Sequence, residues 1–365
     1  MKILIVTNHS YMLWRFRRQL IAALQEQGEV VISTPFVGHE DDFRKMGCRM
    51  VETELDRRGI NPVTDLKLFR FYRKLLKEEK PDVVITYSIK PNVYAGFLCR
   101  LMRIPYCVNV QGLGTAFQKQ PMATIATLMY RTAVKKAKTV FFENDFNAAE
   151  FVDRKICPKS QQTVLNGAGV DLEDYAAVPY PSEEGGVHLL YLGRIMKEKG
   201  VGELFQVAPK IKEKYGDKVV FDVVGFFEDE YKELVEDLGE KGVIVFHGFQ
   251  PDPKPYYAMS HAVLLPSYHE GMSNVLLESA ATARALITTD IPGCREAVRE
   301  GENGFLCKKE DTQTLKTCME KFLDLTEQER CEMGQNSRKV AQEVFSRAEV
   351  VKKTVKAVLE ESVKI

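Results

Sequence analysis

Residues 188–200 read HLLYLGRIMKEKG: a short apolar run, a glycine and an arginine, then a lysine and a second glycine where a helical pattern resumes. An apolar, β-branched run that ends in a glycine loop and feeds a helix is the repeating unit of a parallel α/β sheet. The unit recurs downstream as VVFDVVG (219–225), VIVFHGF (243–249), AVLLPS (262–267) and LITTD (286–290). An earlier set reads KILIVTN (2–8), EVVIST (29–34), DVVITYS (82–88), YCVNVQG (106–112), TVFFEN (139–144) and QTVLNG (162–167), again with helical segments between them. The pattern predicts an α/β chain of two doubly wound, Rossmann-like domains whose strand ends face each other across a cleft. Residues 1–170 form the first domain and 187–345 the second. Residues 171–186, DLEDYAAVPYPSEEGG, lack periodicity and read as a linker. The tail, 346–365, reads as a helix able to pack back on the first domain.

A chain of 365 residues, 45% hydrophobic and 28% charged, has ordinary globular composition, which excludes disorder, collagen-like repeats and a disulfide-stapled miniprotein. The eight cysteines are dispersed without a C-x-x-C pair and read as reduced core thiols. The opening MKILIVTNHS is too short in apolar residues for a signal peptide, and no stretch is long and apolar enough to span a bilayer. The net charge is zero, yet residues 1–170 hold 26 of the 51 Lys+Arg and only 16 of the 51 Asp+Glu. A first half at +10 beside a second at −10 points to an anionic partner for the first.

Chemistry concentrates where strands of the second half run into loops. In 188–200, Arg194 offers a planar fork, Lys199 a point charge, and the helix start free amides, a set suited to a diphosphate. In LLPSYHEGMSNVLLESAATARA (264–285), Glu270 and Gly271 lie in a loop, Ser273 or Asn274 caps the next helix, and Glu278 follows within it. The amides after Gly271 suit phosphate oxygens, and Glu278 suits sugar hydroxyls.

This stretch, with TTDIPGCREAV (288–298), GRIMKEKG (193–200) and VLNGAGVDLEDY (164–175), resembles the glutamate-x7-glutamate region of retaining GT-B glycosyltransferases of glycosyltransferase family 4. The resemblance implies that Arg194 and Lys199 hold the donor diphosphate, that Gly271, Met272, Ser273 and Asn274 complete the phosphate site, that Glu278 binds the nucleotide ribose, and that Glu270 lies against the donor sugar. Glu270, Arg194 and Lys199 are then the catalytic set. It also implies that the loop around Gly248 and Phe249 borders the nucleobase. The segments 68–101 and NVQGLGTAF (109–117) resemble the bacterial branch that glycosylates polyprenyl-diphosphate-linked saccharides for capsule, O-antigen or N-glycan precursors. That places Lys90, Asn92, Gly112 and Gly114 on the acceptor side. Many family members carry a Gly-Gly loop after the first strand. Here NHSYMLWRFRRQL stands instead, and His9, Arg15 and Arg17 are the expected phosphate contacts there.

No Asp-x-Asp occurs, so cations and helix amides are expected to replace a divalent ion, with no metal and no cofactor beyond the nucleotide sugar itself. Helical stretches 12–24, 68–77 and 126–138 mix cations with aromatic and aliphatic residues, as interfacial helices do. The expected protein is therefore a cytoplasmic glycosyltransferase, peripheral on the inner, anionic face of the membrane. Its expected partners are a nucleotide sugar, a UDP-sugar, and a polyprenyl-diphosphate-linked saccharide, with no nucleic acid. The alternatives are a sugar-nucleotide 2-epimerase on the same fold and a non-enzymatic anion- or lipid-binding protein. An oxidoreductase would need a G-x-G-x-x-G that neither half contains.

Overall fold

Runs of valine, isoleucine and leucine are what a strand needs when helices cover both faces of its sheet. The computed structural model describes residues 1–54, 61–113, 117 and 120–360, and in it these runs form two all-parallel sheets. The chain divides into two units, Met1–Ala168 together with the chain from Ala348 onward, and Gly169–Arg347.

The first unit runs β1 (Lys2–Val6), α1 (Ser10–Gln25), β2 (Glu29–Thr34), α2 (Glu40–Lys45), β3 (Arg49–Glu52), α3 (Pro62–Glu79), β4 (Val83–Tyr87), α4 (Ile89–Met102), β5 (Tyr106–Val110), α5 (Met122–Val134), β6 (Thr139–Phe142), α6 (Asp145–Asp153) and β7 (Gln162–Val164). Its strand order is β3-β2-β1-β4-β5-β6-β7. Side chains alternate across the sheet: Ile3 and Ile5 pack with Leu13, Leu20 and Leu24 of α1. Leu4 and Val6 pack on the other face with Tyr72 of α3 and Leu98 of α4. Each fully buried aliphatic side chain of this kind contributes about 1.5–3 kcal/mol.

The second unit runs β8 (Val187–Leu192), α7 (Val201–Tyr215), β9 (Val219–Val224), α8 (Lys232–Glu240), β10 (Val245–Gly248), α9 (Lys254–Met259), β11 (Ala262–Leu265), α10 (Asn274–Ala281), β12 (Ala285–Thr289), β13 (Gly304–Cys307), α11 (Thr312–Leu323) and α12 (Glu327–Val344). Its order is β10-β9-β8-β11-β12-β13. A last helix, α13 (Arg347–Leu359), puts Val350 and Val358 into the α1 face of the first unit's core. Lys138 Nζ donates to the Val358 carbonyl at 2.6 Å and Lys353 Nζ to that of Val164 at 2.6 Å.

Two features differ from the sequence expectation. The short strands β3 and β13 were not foreseen, because RMVE is charged at both ends and GFLC opens on a glycine, so neither offers four apolar residues in a row. Residues 171–186, read as a linker, belong to the second unit. Their proline- and acid-rich backbone is irregular, but distant arginines hold it. Arg338 donates to the carbonyls of Tyr175 at 2.9 Å and Leu172 at 3.1 Å, Arg284 to that of Pro179 at 2.9 Å, and Arg330 Nε to the Glu183 carboxylate at 2.8 Å. All eight cysteines are free thiols, seven of them buried.

Candidate functional site

Doubly wound sheets bind ligands where the strand order reverses, which is between β8 and β11 in the second unit and between β1 and β4 in the first.

At the end of β8 the chain makes a close approach that only glycine permits: a Cβ on Gly225 would lie 1.8 Å from the Gly193 carbonyl oxygen. Arg194 follows, its carbonyl accepting from the Tyr191 hydroxyl at 2.7 Å and its guanidinium paired with Glu228 at 2.5 Å. Burial, then the nearby Glu270, pushes the Tyr191 phenol well above its ordinary range, so it stays a neutral donor. A 3-10 turn, Lys197–Lys199, leads to Gly200 at φ +70°, where a Cβ would strike the Pro266 carbonyl at 2.0 Å. That contact brings the β11 loop beside the turn. Tyr268 N donates to the Glu198 carbonyl at 2.8 Å, and Lys199 Nζ meets Glu270 Oε1 at 2.5 Å.

The same loop is locked from behind. Gly293, at φ +87°, sits where a Cβ would lie 2.7 Å from the carbonyl oxygens of both Glu270 and Gly271. Ser273 N donates to the Gly293 carbonyl at 2.9 Å, and the Ser273 hydroxyl, not Asn274, caps α10 by accepting from Leu276 N at 3.3 Å. Met272 is buried beneath. In α10, Glu278 is only 3% exposed, and the buried Tyr257 hydroxyl donates to it at 2.9 Å. Burial, then Glu270, raises the Cys294 thiol, so it is inert behind the site. Burial and then Lys309 lower His269, next to Glu270, keeping its imidazole neutral. The structure thus gathers Arg194, Lys199, Glu270, Gly271, Met272, Ser273, Asn274 and Glu278 around one switch point. Sequence reading missed Glu228 and Tyr257. The signal for the first was the acid run in FFEDEY (226–231), directly after β9.

In the first unit a cavity of about 270 Å³ opens at the ends of β1, β4 and β5, lined by Asn8, Ser88, Ile89, Lys90, Asn92, Asn109, Val110, Gln111, Gly112 and Tyr130. Its wall is a fixed amide network. Asn92 accepts from Thr86 Oγ1 at 2.7 Å and donates to the Asn109 carbonyl at 2.7 Å and the Tyr130 hydroxyl at 3.3 Å. Ser88, which donates to Asn8 Oδ1 at 2.7 Å, has φ +74° and ψ 159°, a region nearly reserved for glycine. Such strain costs about 1–3 kcal/mol and clusters at functional sites. Lys90 pairs with Asp65 at 2.9 Å, and burial with that same carboxylate pushes the Tyr94 phenol up to about 12.

Of the other expected acceptor residues, His9 stands at the N-cap of α1 and Arg15 lies over the Phe16 ring at 5.5 Å. Arg17 is buried rather than open to solvent: it is 5% exposed, pairs with Glu143 at 2.8 Å and lies 5.6 Å over the Tyr87 ring. Its burial follows from helix periodicity, since Arg17 falls on the core face of α1 with Leu13, Leu20 and Leu24. Gly114 lies outside the described residues. Among the described residues, no group of three or more His, Cys, Asp or Glu is placed to hold a metal ion.

Two family models match consecutive parts of this chain: the glycosyl transferase 4-like domain over residues 13–167, and glycosyl transferases group 1 over residues 178–340. The chain is 25% identical to the N,N'-diacetylbacillosaminyl-diphospho-undecaprenol alpha-1,3-N-acetylgalactosaminyltransferase of Campylobacter jejuni, covering 92% of each chain. It is 27% identical to the capsular polysaccharide biosynthesis glycosyltransferase CapM of Staphylococcus aureus, over 77% of this chain and 79% of that one. Among solved structures, Anabaena HepE in complex with UDP and glucose superposes with a TM-score of 0.79 at 15% identity over 98% of both chains, a likeness of fold. With a glycosyl transferase model matching each half, the chain belongs to the glycosyltransferases, as an enzyme of the GT-B fold.

Proposed function

We propose that the protein transfers a hexose or N-acetylhexosamine from a UDP-sugar to a polyprenyl-diphosphate-linked saccharide, with retention of configuration and without a metal. The observation that carries the donor half is the convergence of Arg194, Lys199, Glu270 and the α10 cap on one switch point. Cations and amide N–H groups there suit a leaving diphosphate, and preorganised charge of this kind is the largest catalytic term in most group transfers. Lys199, held by Glu270, would neutralise the leaving phosphate, while the Glu270 carboxylate stands beside the sugar. In a retaining front-face reaction the acceptor hydroxyl attacks on the side the diphosphate leaves, and a phosphate oxygen takes its proton. The protein then supplies alignment and charge.

The acceptor half is supported by the names of the Campylobacter and Staphylococcus relatives and by the strained, Lys90-bearing cavity of the first unit. Association with an anionic membrane surface is supported by exposed apolar residues on that unit's helices. Val63 and Leu66 on α3 and Ile125 and Leu128 on α5 stand in solvent, with Lys67, Arg70 and Lys74 also on α3. Each cation near such a surface adds about 1 kcal/mol. No described helix is long and apolar enough to cross a membrane.

The test has two arms. UDP, GDP, ADP and CMP are compared by thermal shift in EDTA, and UDP is expected to stabilise the protein selectively. UDP-sugars are then incubated with undecaprenyl-diphosphate-linked saccharides, and the anomeric configuration of the product is read by NMR. No shift with any nucleotide would sink the donor reading. A new sugar nucleotide formed without acceptor would make the protein an epimerase.

A further inference from the structure

In the second unit, each of the two cations at the switch point already has a carboxylate partner: Glu270 on Lys199 and Glu228 on Arg194, both at 2.5 Å. The first pair joins two residues that are both expected at the donor. The second joins Arg194 to an acid outside that set, and its geometry is fixed by the main chain. Ile195, fully buried, donates to the Phe226 carbonyl at 2.8 Å and accepts from Glu228 N at 3.1 Å and Asp229 N at 3.3 Å. The Asp229 carboxylate accepts from Lys197 N at 2.7 Å. The acidic loop after β9 is therefore zipped to the segment carrying Arg194, which sets Glu228 against the guanidinium. The Arg194 side chain is 44% exposed and that of Glu228 18%, so a ligand reaches the cation before it reaches the acid.

We infer that Glu228 is a built-in competitor for Arg194, which holds the guanidinium while the donor site is empty and favours departure of the nucleoside diphosphate after transfer. The inference rests on the proposal that Arg194 binds the donor diphosphate. A sugar nucleotide carries its diphosphate as a diester, whereas the product ends in a free terminal phosphate with additional negative charge. A fixed carboxylate beside the shared cation repels the product more than the substrate. Glu228 acts through Arg194 and is a positioning residue, with no part in bond making.

The test uses the full-length protein and its Glu228→Gln, Glu228→Ala and Arg194→Gln variants, each checked for folding by thermal unfolding. Calorimetry with UDP, and with uridine as a probe lacking phosphate, gives the readout. UDP is expected to bind Glu228→Gln about tenfold more tightly than wild type, with uridine unchanged and with a parallel drop in the UDP inhibition constant. A merely supporting residue would not tighten binding when removed. Unchanged or weaker UDP binding in both Glu228 variants, with Arg194→Gln weakened, overturns this inference and leaves the donor site standing. So does equal tightening toward uridine. UDP binding that is absent in wild type, or indifferent to Arg194→Gln, overturns the donor reading and this inference with it.

Discussion

Both sheets reverse their strand order between two central strands, β1 and β4 in the first unit and β8 and β11 in the second, yet the two switch points are furnished in opposite ways. The second is lined by ion pairs on glycine-bearing loops: Arg194 with Glu228, and Lys199 with Glu270. The first is walled by neutral carboxamides, with Asn92 immobilised by Thr86, Asn109 and Tyr130 and, among the described residues, only Lys90 carrying charge into the lining. Charged pairs can exchange partners when an anion arrives, whereas a saturated amide network holds a shape. The contrast suits a site that must take up and release a diphosphate and another that must select among neutral sugar hydroxyls.

The comparison can be broken most decisively at Glu278. Glu278→Gln keeps the packing of α10 but removes the carboxylate, and transfer from a UDP-sugar is expected to fall by about a thousandfold, equivalent to about 4 kcal/mol. Initial rates retaining a tenth of wild type would show that this acid is only structural. Arg17→Ala separates support from recognition in the first unit. Removing one member of the buried Arg17–Glu143 pair should cost about 3–5 kcal/mol in urea unfolding, and loss of acceptor binding at undiminished stability would assign Arg17 to the ligand site.

Acid tests the second unit. Burial lowers His261 from the ordinary histidine value of 6.5 to about 4, with Arg284 and Arg330 adding smaller effects against Glu183. Its Nδ1 accepts from the His188 amide at 2.8 Å, so the folded protein holds it neutral. The unfolded chain takes up that proton first, so stability falls as pH drops from about 6.5 to about 4, levels off below, and loses up to about 3 kcal/mol in that window. Denaturation midpoints from pH 7 to 4 should show this slope, and His261→Gln should flatten it. Smaller effects belong to the cavity. Asn92→Ala removes the donor to the Asn109 carbonyl and the acceptor of the Thr86 hydroxyl, and should cost about 2 kcal/mol of stability. Lys90→Gln should raise the KM for lipid-linked acceptor about fivefold, near 1 kcal/mol, while leaving UDP binding intact. If Lys90→Gln instead weakens UDP, the division of labour between the two switch points is wrong.

How much of this was legible in the sequence differs between the regions for a physical reason. Glycines that permit close approach, such as Gly200 and Gly293, and charged residues in loops leave marks at fixed spacing, so the donor-side set could be read from 188–200 and 264–298. The central strands were equally plain, since burial on both faces demands apolar runs. In the cavity, Lys90, Asn92 and Gly112 were marked only by the family resemblance, and Asn109, with the hydrogen bonds that fix Asn92, was not marked at all, because a carboxamide is an unremarkable letter until the fold brings β5 beside α4. Arg17 misled for a related reason: an arginine reads as solvent-facing unless the acid that buries with it, Glu143 at a distance of 126 residues, is known. The edge strands β3 and β13, each four residues long, carry too little pattern to stand out.

Arg284 hydrogen-bonds four backbone carbonyls, those of Pro179, Tyr257, Ala258 and Ala283, and Arg338 grips Leu172, Tyr175 and Ala281 in the same manner. A carbonyl has no side-chain identity, so this hold does not depend on which residues supply the carbonyls, while the two arginines cannot be exchanged even for lysine. In a comparison of homologues the arginines would look like isolated fixed points, although with the segment they grip they form one structural element.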